Sequence, residues 1–459
     1  MTYEQAVRYL FTLGRELASP QQARAAKFDL ENIRAVCDRM GNPERKFRSA
    51  HIAGTNGKGS TAAMLESIVR AAGMRTGLYT SPHLLRINER IRVDGRDIAD
   101  ADFANTFDRV HSVIEELLAS GVLVGHPTFF ECVTAMAFDF FARENVDLAV
   151  IEVGMGGRLD STNIVVPEVA VITPIDFDHE NFLGHSIEEI TREKAGIIKP
   201  GAWVVSAAGH EAAKEVIRRR AVELGARLFE VDAVCRASNL RAEDGCYRFT
   251  AATNPPDGES REIEIRLPLA GRFQVRNAIT AIVAARLLAE RGFPTDDAAI
   301  AGGLATVRWP GRLERLQDKP DIYVDGTHNP AGARELVAFW DGQFAGRRIH
   351  LIYGAMRDKA VDEVAGLLFP RAASVILTQS RQPRALSAEA LAAMTKHLAD
   401  SVEVIPEPGT ALERALESAE PDDVVFATGS LYLVGDLCRY WEQRPVGEAP
   451  GGVQQVRRR

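Results

Sequence analysis

The chain has 459 residues, of which 46% are hydrophobic and 26% charged, a composition typical of globular proteins at a length that suits two or three domains. Its formal net charge of −8 argues against a dominant basic face for nucleic acid. The sequence contains no run of about 18 apolar residues, so no membrane-spanning helix is expected. The five cysteines are scattered without a CxxC pair and indicate neither a disulfide framework nor a cysteine zinc site. A cytoplasmic protein is the default expectation.

The first half of the chain alternates strand-like and helix-like segments. The apolar runs Ala50–Ala53, Leu148–Val153 and Val169–Thr173 predict buried strands. Thr61–Ala72 predicts a helix after the first of them. This alternation is typical of a mainly parallel sheet covered by helices. The shorter alternating segments of Phe229–Leu267 surround a turn-rich stretch and predict a small antiparallel section.

A proline–glycine pair separates the two halves of the chain. Pro310 and Gly311 lie in Val307–Leu313, which we interpret as a hinge. The alternation then resumes with Asp321–Val324 and predicts a second, smaller, Rossmann-like α/β domain. We interpret the three arginines at the end of the chain as a solvated charge run. The predicted parts are an N-terminal domain over residues 1–306, a hinge over 307–313, a C-terminal domain over 314–443 and a disordered tail over 444–459.

A glycine-rich loop lies between the first predicted strand and its helix. Glycines let the backbone wrap around phosphate oxygens, and consecutive N–H groups at a helix N-terminus supply partial positive charge. Lys58 adds a charge for the β- and γ-phosphates, and the hydroxyl of Ser60 can reach Mg²⁺. Gly59 separates these two residues, so the loop departs by one position from the general Walker pattern. The predicted ATP-binding residues of the loop are Gly54, Thr55, Asn56, Gly57, Lys58, Gly59 and Ser60.

Two further residues are predicted at the same edge of the sheet. Glu152 ends a strand ahead of several glycines, and ligands of open α/β sheets bind at the carboxyl ends of strands. His179 follows the next strand along the chain. Because Mg²⁺ prefers oxygen ligands, one histidine is acceptable only among several oxygens. Judged by pattern alone, Lys194 is an ordinary helix lysine paired with Glu193 or Glu189.

Taken together, these motifs resemble the folylpolyglutamate synthase/dihydrofolate synthase family, a branch of the Mur ligase superfamily. The resemblance covers nearly the whole chain, and its segments occur in family order. They are Gly54–Ser60 (GTNGKGS), Tyr79–Leu84 (YTSPHL), Asn88–Ile91 (NERI), Thr128–Glu131 (TFFE), Glu152–Asn163 (EVGMGGRLDSTN), Asp178–Gly184 (DHENFLG), Glu193–Lys199 (EKAGIIK), Phe273–Ala278 (FQVRNA), Trp309–Glu314 (WPGRLE) and Asp325–Pro330 (DGTHNP).

The resemblance implies a fold and a reaction. It implies an N-terminal P-loop ATPase domain of the Mur ligase type and a C-terminal glutamate-ligase domain. The family couples ATP cleavage to amide formation between a folate-type carboxylate and the amino group of L-glutamate. The carboxylate attacks the γ-phosphate to give an acyl phosphate, and the amine then displaces phosphate. The GGRLDSTN stretch resembles bacterial bifunctional members, which implies both dihydrofolate synthase and folylpolyglutamate synthase activity.

The resemblance also assigns catalytic and metal-binding roles. Lys58 would hold the ATP phosphates, and Ser60 and Glu152 would bind one Mg²⁺. His179 would bind a second Mg²⁺ together with a carbamate formed by CO₂ on Lys194. A carbamate turns a cation into an oxygen-donor anion, which suits a hard metal ion. Only the resemblance supports this interpretation of Lys194.

Further ATP contacts are implied in the second half of the chain. Asn277 would contact adenine, while Phe273 stands where family members often carry histidine. Arg312 would meet the phosphates, and Asp325 and His328 would meet the ribose and the γ-phosphate region. The catalytic residues implied overall are Lys58, His179, Lys194, Arg312 and His328.

The resemblance implies two groups of substrate residues. Ser81, Arg90 and Ser430 would receive the incoming glutamate, because a guanidinium fork binds carboxylates bidentately. Phe129 or Phe130 can stack on an aromatic ring, although plain core packing is an alternative for each of them. The residues expected to line the pterin and aminobenzoate site include Thr128, Phe129, Phe130, Arg158 and Asp160.

Three alternatives stay open at this stage. One is folylpolyglutamate synthase activity alone. Another is a Mur-type enzyme that adds amino acids to a UDP-muramoyl substrate, although too little chain precedes Gly54 for the extra domain such enzymes usually carry. The third is a P-loop ATPase without ligase chemistry. The leading interpretation implies a monomer that binds ATP, Mg²⁺, dihydropteroate or folates and L-glutamate, with no nucleic-acid or membrane partner.

Overall fold

The computed structural model describes residues 1–13, 29–243, 245–254, 260–357 and 359–444. The predicted tail beyond residue 444 and the turn residues 255–258 lie outside these ranges. Every helix within the described ranges is too short or too polar to cross a bilayer. The chain divides into two compact units. The N-terminal unit comprises Met1–Pro268 and Gln274–Arg308, and the C-terminal unit comprises Leu269–Phe273 and the chain from Trp309 onward.

The described part of the N-terminal unit contains a mainly parallel sheet of eight strands. Its spatial order is β4-β3-β2-β5-β1-β6-β7-β8, and all neighbours from β2 to β8 run parallel. This confirms the predicted sheet, to which β3 and β4 add an antiparallel edge. The strands are β1 Arg48–Ala53, β2 Thr76–Tyr79, β3 Ile91–Val93, β4 Arg96–Asp97, β5 Leu148–Glu152, β6 Val169–Ile172, β7 Trp203–Ser206 and β8 Arg227–Glu230.

A separate antiparallel sheet of three described strands confirms the predicted antiparallel section, but it begins at Cys235 and not at Phe229, which lies in the parallel strand β8. Its order is β11-β10-β9. Alternate residues of β11 are buried and exposed, as expected for a sheet with one solvated face. The strands are β9 Cys235–Glu243, β10 Cys246–Thr253 and β11 Arg261–Leu267.

Helices cover the large sheet because its central strands are apolar on both faces. Ile151 of β5 packs in one cluster with Phe138 and Phe141, whereas Ile172 of β6 packs in another with Ile190. The helices are α1 Tyr3–Thr12, α2 Glu31–Arg39, α3 Lys58–Ala71, α4 Asp100–Ala119, α5 Phe129–Arg143, α6 Glu180–Leu183, α7 Ile187–Lys194, α8 Glu211–Glu223, α9 Val231–Val234, α10 Arg272–Glu290 and α11 Asp297–Thr306, with short 3-10 turns at Pro43–Arg45, Ile87–Arg90, Ser161–Ile164 and Ala195–Ile197.

The C-terminal unit is a smaller α/β layer structure, as predicted. Its six described strands have the order β12-β13-β17-β14-β15-β16, and only β12 runs antiparallel to its neighbour. The elements are β12 Glu314–Gln317, β13 Asp321–Val324, α12 Pro330–Gln343, β14 Ile349–Tyr353, α13 Val361–Leu368, β15 Ser374–Leu377, α14 Ala388–Thr395, β16 Val402–Val404, α15 Pro408–Ser418, β17 Val424–Thr428 and α16 Leu431–Gln443, with 3-10 turns at Phe369–Arg371 and Lys396–Leu398.

Close packing of α11 on α3 yields a stability prediction. A Cβ added to Gly303 would lie 2.4 Å from the Cα of Ile68 and 2.7 Å from the carbonyl oxygen of Ser67, whereas a Cβ on Gly302 meets nothing within 4 Å. We expect Gly303→Ala to lower the free energy of unfolding by about 1–3 kcal/mol, because backbone cannot yield as a side chain can. Gly302→Ala, one position away in the same helix, should be neutral or stabilising by up to about 1 kcal/mol. Urea unfolding measures both, and equal stabilities would contradict the packing described.

Candidate active site

Four neighbouring parallel strands end at one edge of the large sheet. Their spatial order is β2-β5-β1-β6, and the register places Ile52 beside Glu152 and Ala53 beside Ile172. The segments that follow these strands therefore begin side by side. They carry Ser81, the glycines after Glu152, the phosphate loop and the stretch that leads to His179. One direct contact joins two of them, since the backbone N–H of Ser81 donates to Oε2 of Glu152 at 3.1 Å.

The phosphate loop is fixed to the segment that follows β6. The backbone N–H groups of Thr55 and Asn56 donate to the carbonyl of Pro174 at 2.9 and 3.3 Å. The hydroxyl of Thr55 also donates to the carbonyl of Asp176 at 2.9 Å. These contacts hold the loop in one conformation.

Two positions of this loop require glycine. Gly54 has φ +150°, and a Cβ there would lie 1.9 Å from Oγ1 of Thr173. Gly57 has φ +82°, and a Cβ there would lie 2.3 Å from Oδ1 of Asn277. Gly57 directly precedes the first residue of α3, so the loop presents the positive end of that helix dipole. This geometry suits an anion.

A polar network joins the start of α3 to α10. Nε2 of Gln274 donates to Oγ of the buried Ser60 at 3.3 Å, and Nδ2 of Asn277 donates to Oε1 of Gln274 at 2.9 Å. Nζ of Lys58 donates to the carbonyl of Thr55 at 3.2 Å. The sequence motifs pointed to Asn277 but not to Gln274. Their spacing of three residues on one helix was the signal that could have linked them.

The last residue of α7 reaches the phosphate loop. Lys194 is only 4% exposed, and its Nζ donates to the carbonyl of Gly54 at 2.8 Å. Glu193, beside it in the chain, accepts from the guanidinium of Arg158 at 2.9 Å. The pattern-based interpretation of Lys194 as an ordinary helix lysine is therefore wrong, because the side chain is buried at the loop.

Glu152 and His179 are the carboxylate and the imidazole that the sequence assigned to a metal site. Glu152 is 4% exposed, and His179 has φ +53° and donates its backbone N–H to Oδ1 of Asp178 at 2.9 Å. Among the described residues, the one set of three His, Cys, Asp or Glu side chains with ligand atoms within 4.8 Å of one another lies elsewhere. Mg²⁺ does not need such a cage, because it commonly takes one or two carboxylates, waters and substrate phosphates. The donor set present fits that ion.

The two phenylalanines at the start of α5 occupy different environments. Phe129 is 2% exposed and stacks on Phe11 with ring centroids 5.8 Å apart. Phe130 is half-buried and lies over Gly154, where an added Cβ would come within 2.5 Å of its Cζ. Thr128 caps the helix by accepting from the N–H of Glu131 at 3.2 Å. Phe130, not Phe129, therefore reaches the segment that follows Glu152.

Arg90 and Asp160 are both buried and already engaged. Nε of Arg90 donates to Nδ1 of His83 at 2.9 Å, and its guanidinium lies 5.1 Å from the ring of Phe129. Asp160 accepts from the N–H of Met155 at 2.9 Å with one oxygen and from the N–H of Thr162 at 3.0 Å with the other. Burial raises the pKa of Asp160. In this structure the Asp160 side chain holds the glycine-rich segment closed on itself.

The C-terminal unit brings its own predicted residues together around Gly326. The buried Asp325 accepts from the N–H of Leu313 and of Thr327, each at 2.8 Å. A Cβ on Gly326 would lie 2.6 Å from Nη1 of Arg312, so this guanidinium covers the loop.

Two further residues complete this group. Nδ1 of His328 lies 2.9 Å from the carbonyl oxygen of Gly326, and since a carbonyl can only accept, Nδ1 carries the proton. The buried Ser430 caps α16 through the N–H of Leu433 at 3.1 Å. Leu431 lies against Gly326, which places Ser430 near the same loop.

The fold and these loops define a Mur-type ligase. Residues 101–285 match the family model of the Mur ligase middle domain, and residues 311–431 match that of the Mur ligase glutamate ligase domain. The chain is 36% identical over 415 residues to the dihydrofolate synthase/folylpolyglutamate synthase of Bacillus subtilis, covering 89% of this chain and 94% of that protein. It therefore belongs to the folylpolyglutamate synthase/dihydrofolate synthase family of ATP-dependent ligases.

Solved structures agree with this assignment. The Mycobacterium tuberculosis folylpolyglutamate synthase complexed with ADP superposes with a TM-score of 0.87 at 33% identity, covering 96% of this chain and 99% of that one. Escherichia coli FolC in complex with DHPP and ADP gives a TM-score of 0.82 at 29% identity, covering 95% of this chain and 97% of that one. The resemblance found in the motifs is thus confirmed at the level of the family.

Lys199 provides a pH-dependent prediction. Its Nζ donates to the carbonyl of Asn163 at 2.8 Å and to Oδ1 of the same residue at 2.7 Å. Burial, with a smaller contribution from Arg34, lowers the pKa of Lys199 from 10.5 to about 8. Between these two values the native state has released a proton that the unfolded state still holds, so stability rises with pH.

We expect the wild type to gain unfolding free energy relative to Lys199→Met as the pH rises from about 8 towards 10.5. Urea unfolding at several pH values measures the difference. Lys396→Met, which removes an exposed lysine, is the control and should run parallel to the wild type. A Lys199→Met curve that also runs parallel would contradict the lowered pKa.

Proposed function

We propose that this chain is a bifunctional ATP-dependent ligase that joins L-glutamate to the carboxylate of dihydropteroate and to that of folates. The observation that carries the proposal is the meeting, at one edge of the large sheet, of a glycine-constrained phosphate loop, a buried carboxylate and a buried lysine. The Bacillus subtilis relative, which carries both activities in its name, supports assigning both here.

ATP is proposed to lie with its phosphates on the loop from Gly54 to Ser60. The N–H groups at the start of α3 and the Lys58 ammonium would neutralise the charge that develops on the transferred phosphoryl group. Asn277 is proposed to contact adenine. From the C-terminal unit, Arg312, Asp325 and His328 are proposed to meet the phosphates and the ribose. These three residues lie together around Gly326, which supports the proposal that they contact the same ligand.

Two Mg²⁺ ions are proposed, one held by Ser60 and Glu152 and the other by His179 and a carbamylated Lys194. When bound, these ions would supply positive charge to the phosphates. The hydrogen bond from Lys194 Nζ to Gly54 supports the modification, because a carbamate keeps one N–H and can still donate to that carbonyl.

The reaction then balances in two steps. A carboxylate oxygen of the pteroate or folate attacks the γ-phosphorus, and the bond to the ADP oxygen breaks. The amino group of glutamate attacks the acyl carbon, and orthophosphate leaves with the carboxylate oxygen. Ser81, Arg90 and Ser430 are proposed to orient the glutamate. The residues proposed along the pteridine and aminobenzoate are Thr128, Phe129, Phe130, Arg158 and Asp160, of which Phe130 is best placed to stack on a ring.

Oxygen transfer tests this chemistry directly. With ¹⁸O in the carboxylate of dihydropteroate, and separately of a reduced folate, we expect one labelled oxygen in orthophosphate for each amide formed. ATP hydrolysis without either acid, or unlabelled phosphate, would favour a P-loop ATPase and contradict the proposal. Turnover of the folate but not of dihydropteroate would restrict the chain to folylpolyglutamate synthase activity.

Lys194→Ala tests the carbamate. We expect a loss of turnover of about 10²–10³-fold, because the carbamate anion that would hold the second Mg²⁺ next to the phosphates is lost. A short carboxylic acid should restore part of the rate by supplying the missing anion. Lys58→Ala also removes a lysine from the loop, but it should lose turnover without any rescue, since the missing group is a cation. Full activity of Lys194→Ala, or equal rescue of both variants, would contradict the assignment.

A further inference from the structure

A second cluster of metal-ligating side chains lies in the N-terminal unit, on α4 and the loop that follows it. His111 and Glu115 are one helical turn apart on the same face of α4. His126 comes from the loop that joins α4 to α5. One ligand atom of each residue lies within 4.8 Å of the other two. None of the three belongs to the site described above.

His111 has a nitrogen that nothing in the described structure satisfies. Its ring stacks on Phe107 with centroids 5.4 Å apart and lies 4.7 Å from the ring of Tyr9. Nδ1 is buried and has no hydrogen-bond partner among the described residues, and Oε1 of Glu115 lies 3.8 Å from it, beyond hydrogen-bond distance. A buried polar atom without a partner is costly, and a metal ion would satisfy it.

His126 is oriented as metal-binding histidines commonly are. Its Nδ1 lies 2.7 Å from the carbonyl oxygen of Pro127. Since that oxygen can only accept, Nδ1 carries the proton and Nε2 carries the lone pair. A backbone carbonyl on the second ring nitrogen is a usual means of fixing a ligating imidazole. The hydroxyl of Tyr9, 3.1 Å from Nε2, donates to that lone pair and would turn aside when an ion binds.

We propose that His111, Glu115 and His126 bind one divalent transition-metal ion of the zinc class. Two imidazoles and a carboxylate suit Zn²⁺ and its neighbours, whereas Mg²⁺ prefers oxygen alone. Ligand atoms around a tetrahedral Zn²⁺ lie about 3.3 Å apart, given bonds of about 2.0–2.1 Å. The observed separations, 3.8 Å between His111 and Glu115 and at most 4.8 Å within the set, exceed that value by about 0.5–1.5 Å, so the three side chains must draw together when the ion binds.

The ion has a structural consequence. Three protein ligands leave the fourth position to water. Pro127 and Thr128 follow His126 directly, and Thr128 caps α5 ahead of Phe130. The ion would therefore fix the loop to α4 at the point where the chain enters the helix that carries the proposed ring-stacking residue. Metal binding here does not depend on the proposed ligase chemistry.

The test uses the full chain, stripped with a chelator and kept in excess Mg²⁺. We expect titration calorimetry with ZnCl₂ to show a site that Glu115→Gln weakens by at least about 10-fold and that His111→Phe abolishes. Glu115 is 55% exposed, so its replacement should not disturb folding, and phenylalanine keeps the ring volume of His111. Co²⁺ should give visible absorption bands in the wild type that both variants lack.

His397→Ala removes an exposed histidine of the other unit and should bind Zn²⁺ as the wild type does. Glu152→Gln serves as a second control. If Zn²⁺ bound at the sheet edge, Glu152→Gln would lose that binding, whereas Glu115→Gln would keep it. Zinc should also raise the Tm of the wild type but not that of Glu115→Gln. Zinc affinity and Co²⁺ spectra that do not change in Glu115→Gln and His111→Phe would overturn the proposal, as would the absence of binding in the wild type.

Discussion

The parallel pairing of β2, β5, β1 and β6 is the constraint on which the rest of the N-terminal unit depends. These strands are buried almost throughout and must be covered on both faces, which favours crossover connections that leave all four pointing the same way. Their carboxyl ends consequently meet at one edge. Four loops distant in sequence become neighbours there without any side-chain contact having to draw them together. The chemistry of the loops can then vary while the scaffold keeps their positions.

Burial at this edge ties the candidate site side chains to the backbone. Lys194, Glu152 and Asp160 are all nearly inaccessible, and a buried polar group is tolerated only when it is hydrogen-bonded. Backbone groups supply these bonds: the carbonyl of Gly54 for Lys194, and N–H groups for both carboxylates. Each of these three side chains therefore also stabilises the local backbone conformation. Asp160 illustrates the point, since the residue expected at the pterin closes the glycine-rich segment on itself in this structure.

The sequence predicted most of the fold because most of its parallel strands are short, uninterrupted apolar runs. It missed β12, whose four residues Glu314–Gln317 are mostly polar and gain strand structure only by pairing with β13. It began the helix after the phosphate loop at Thr61, whereas α3 starts at Lys58, because the left-handed Gly57 caps it without a side chain. Such starts leave no capping signal in the sequence.

For the candidate site, the sequence motifs identified residues but not their surroundings. Residue type and motif order selected Glu152 and the phosphate loop, but the burial of Lys194 and the different surroundings of Phe129 and Phe130 depend on packing that no local pattern encodes. The partnership of Gln274 with Ser60 joins positions 214 residues apart. The assigned roles of the individual site residues stay predictions.

Two kinds of metal chemistry in one unit would be separated by donor atoms alone. The sheet edge offers hydroxyl and carboxylate oxygens and the single imidazole of His179 beside a phosphate loop, a set in which oxygen donors predominate and which favours a hard ion already bound to a nucleotide. The cluster on α4 offers two imidazoles and one carboxylate, for which first-row transition metals compete far better than Mg²⁺. Because His126 precedes Thr128 by two residues, the second set would stabilise the scaffold next to the first without sharing a ligand with it. A metal bound there acts on the geometry of α5, and hence on Phe130, rather than on the phosphates.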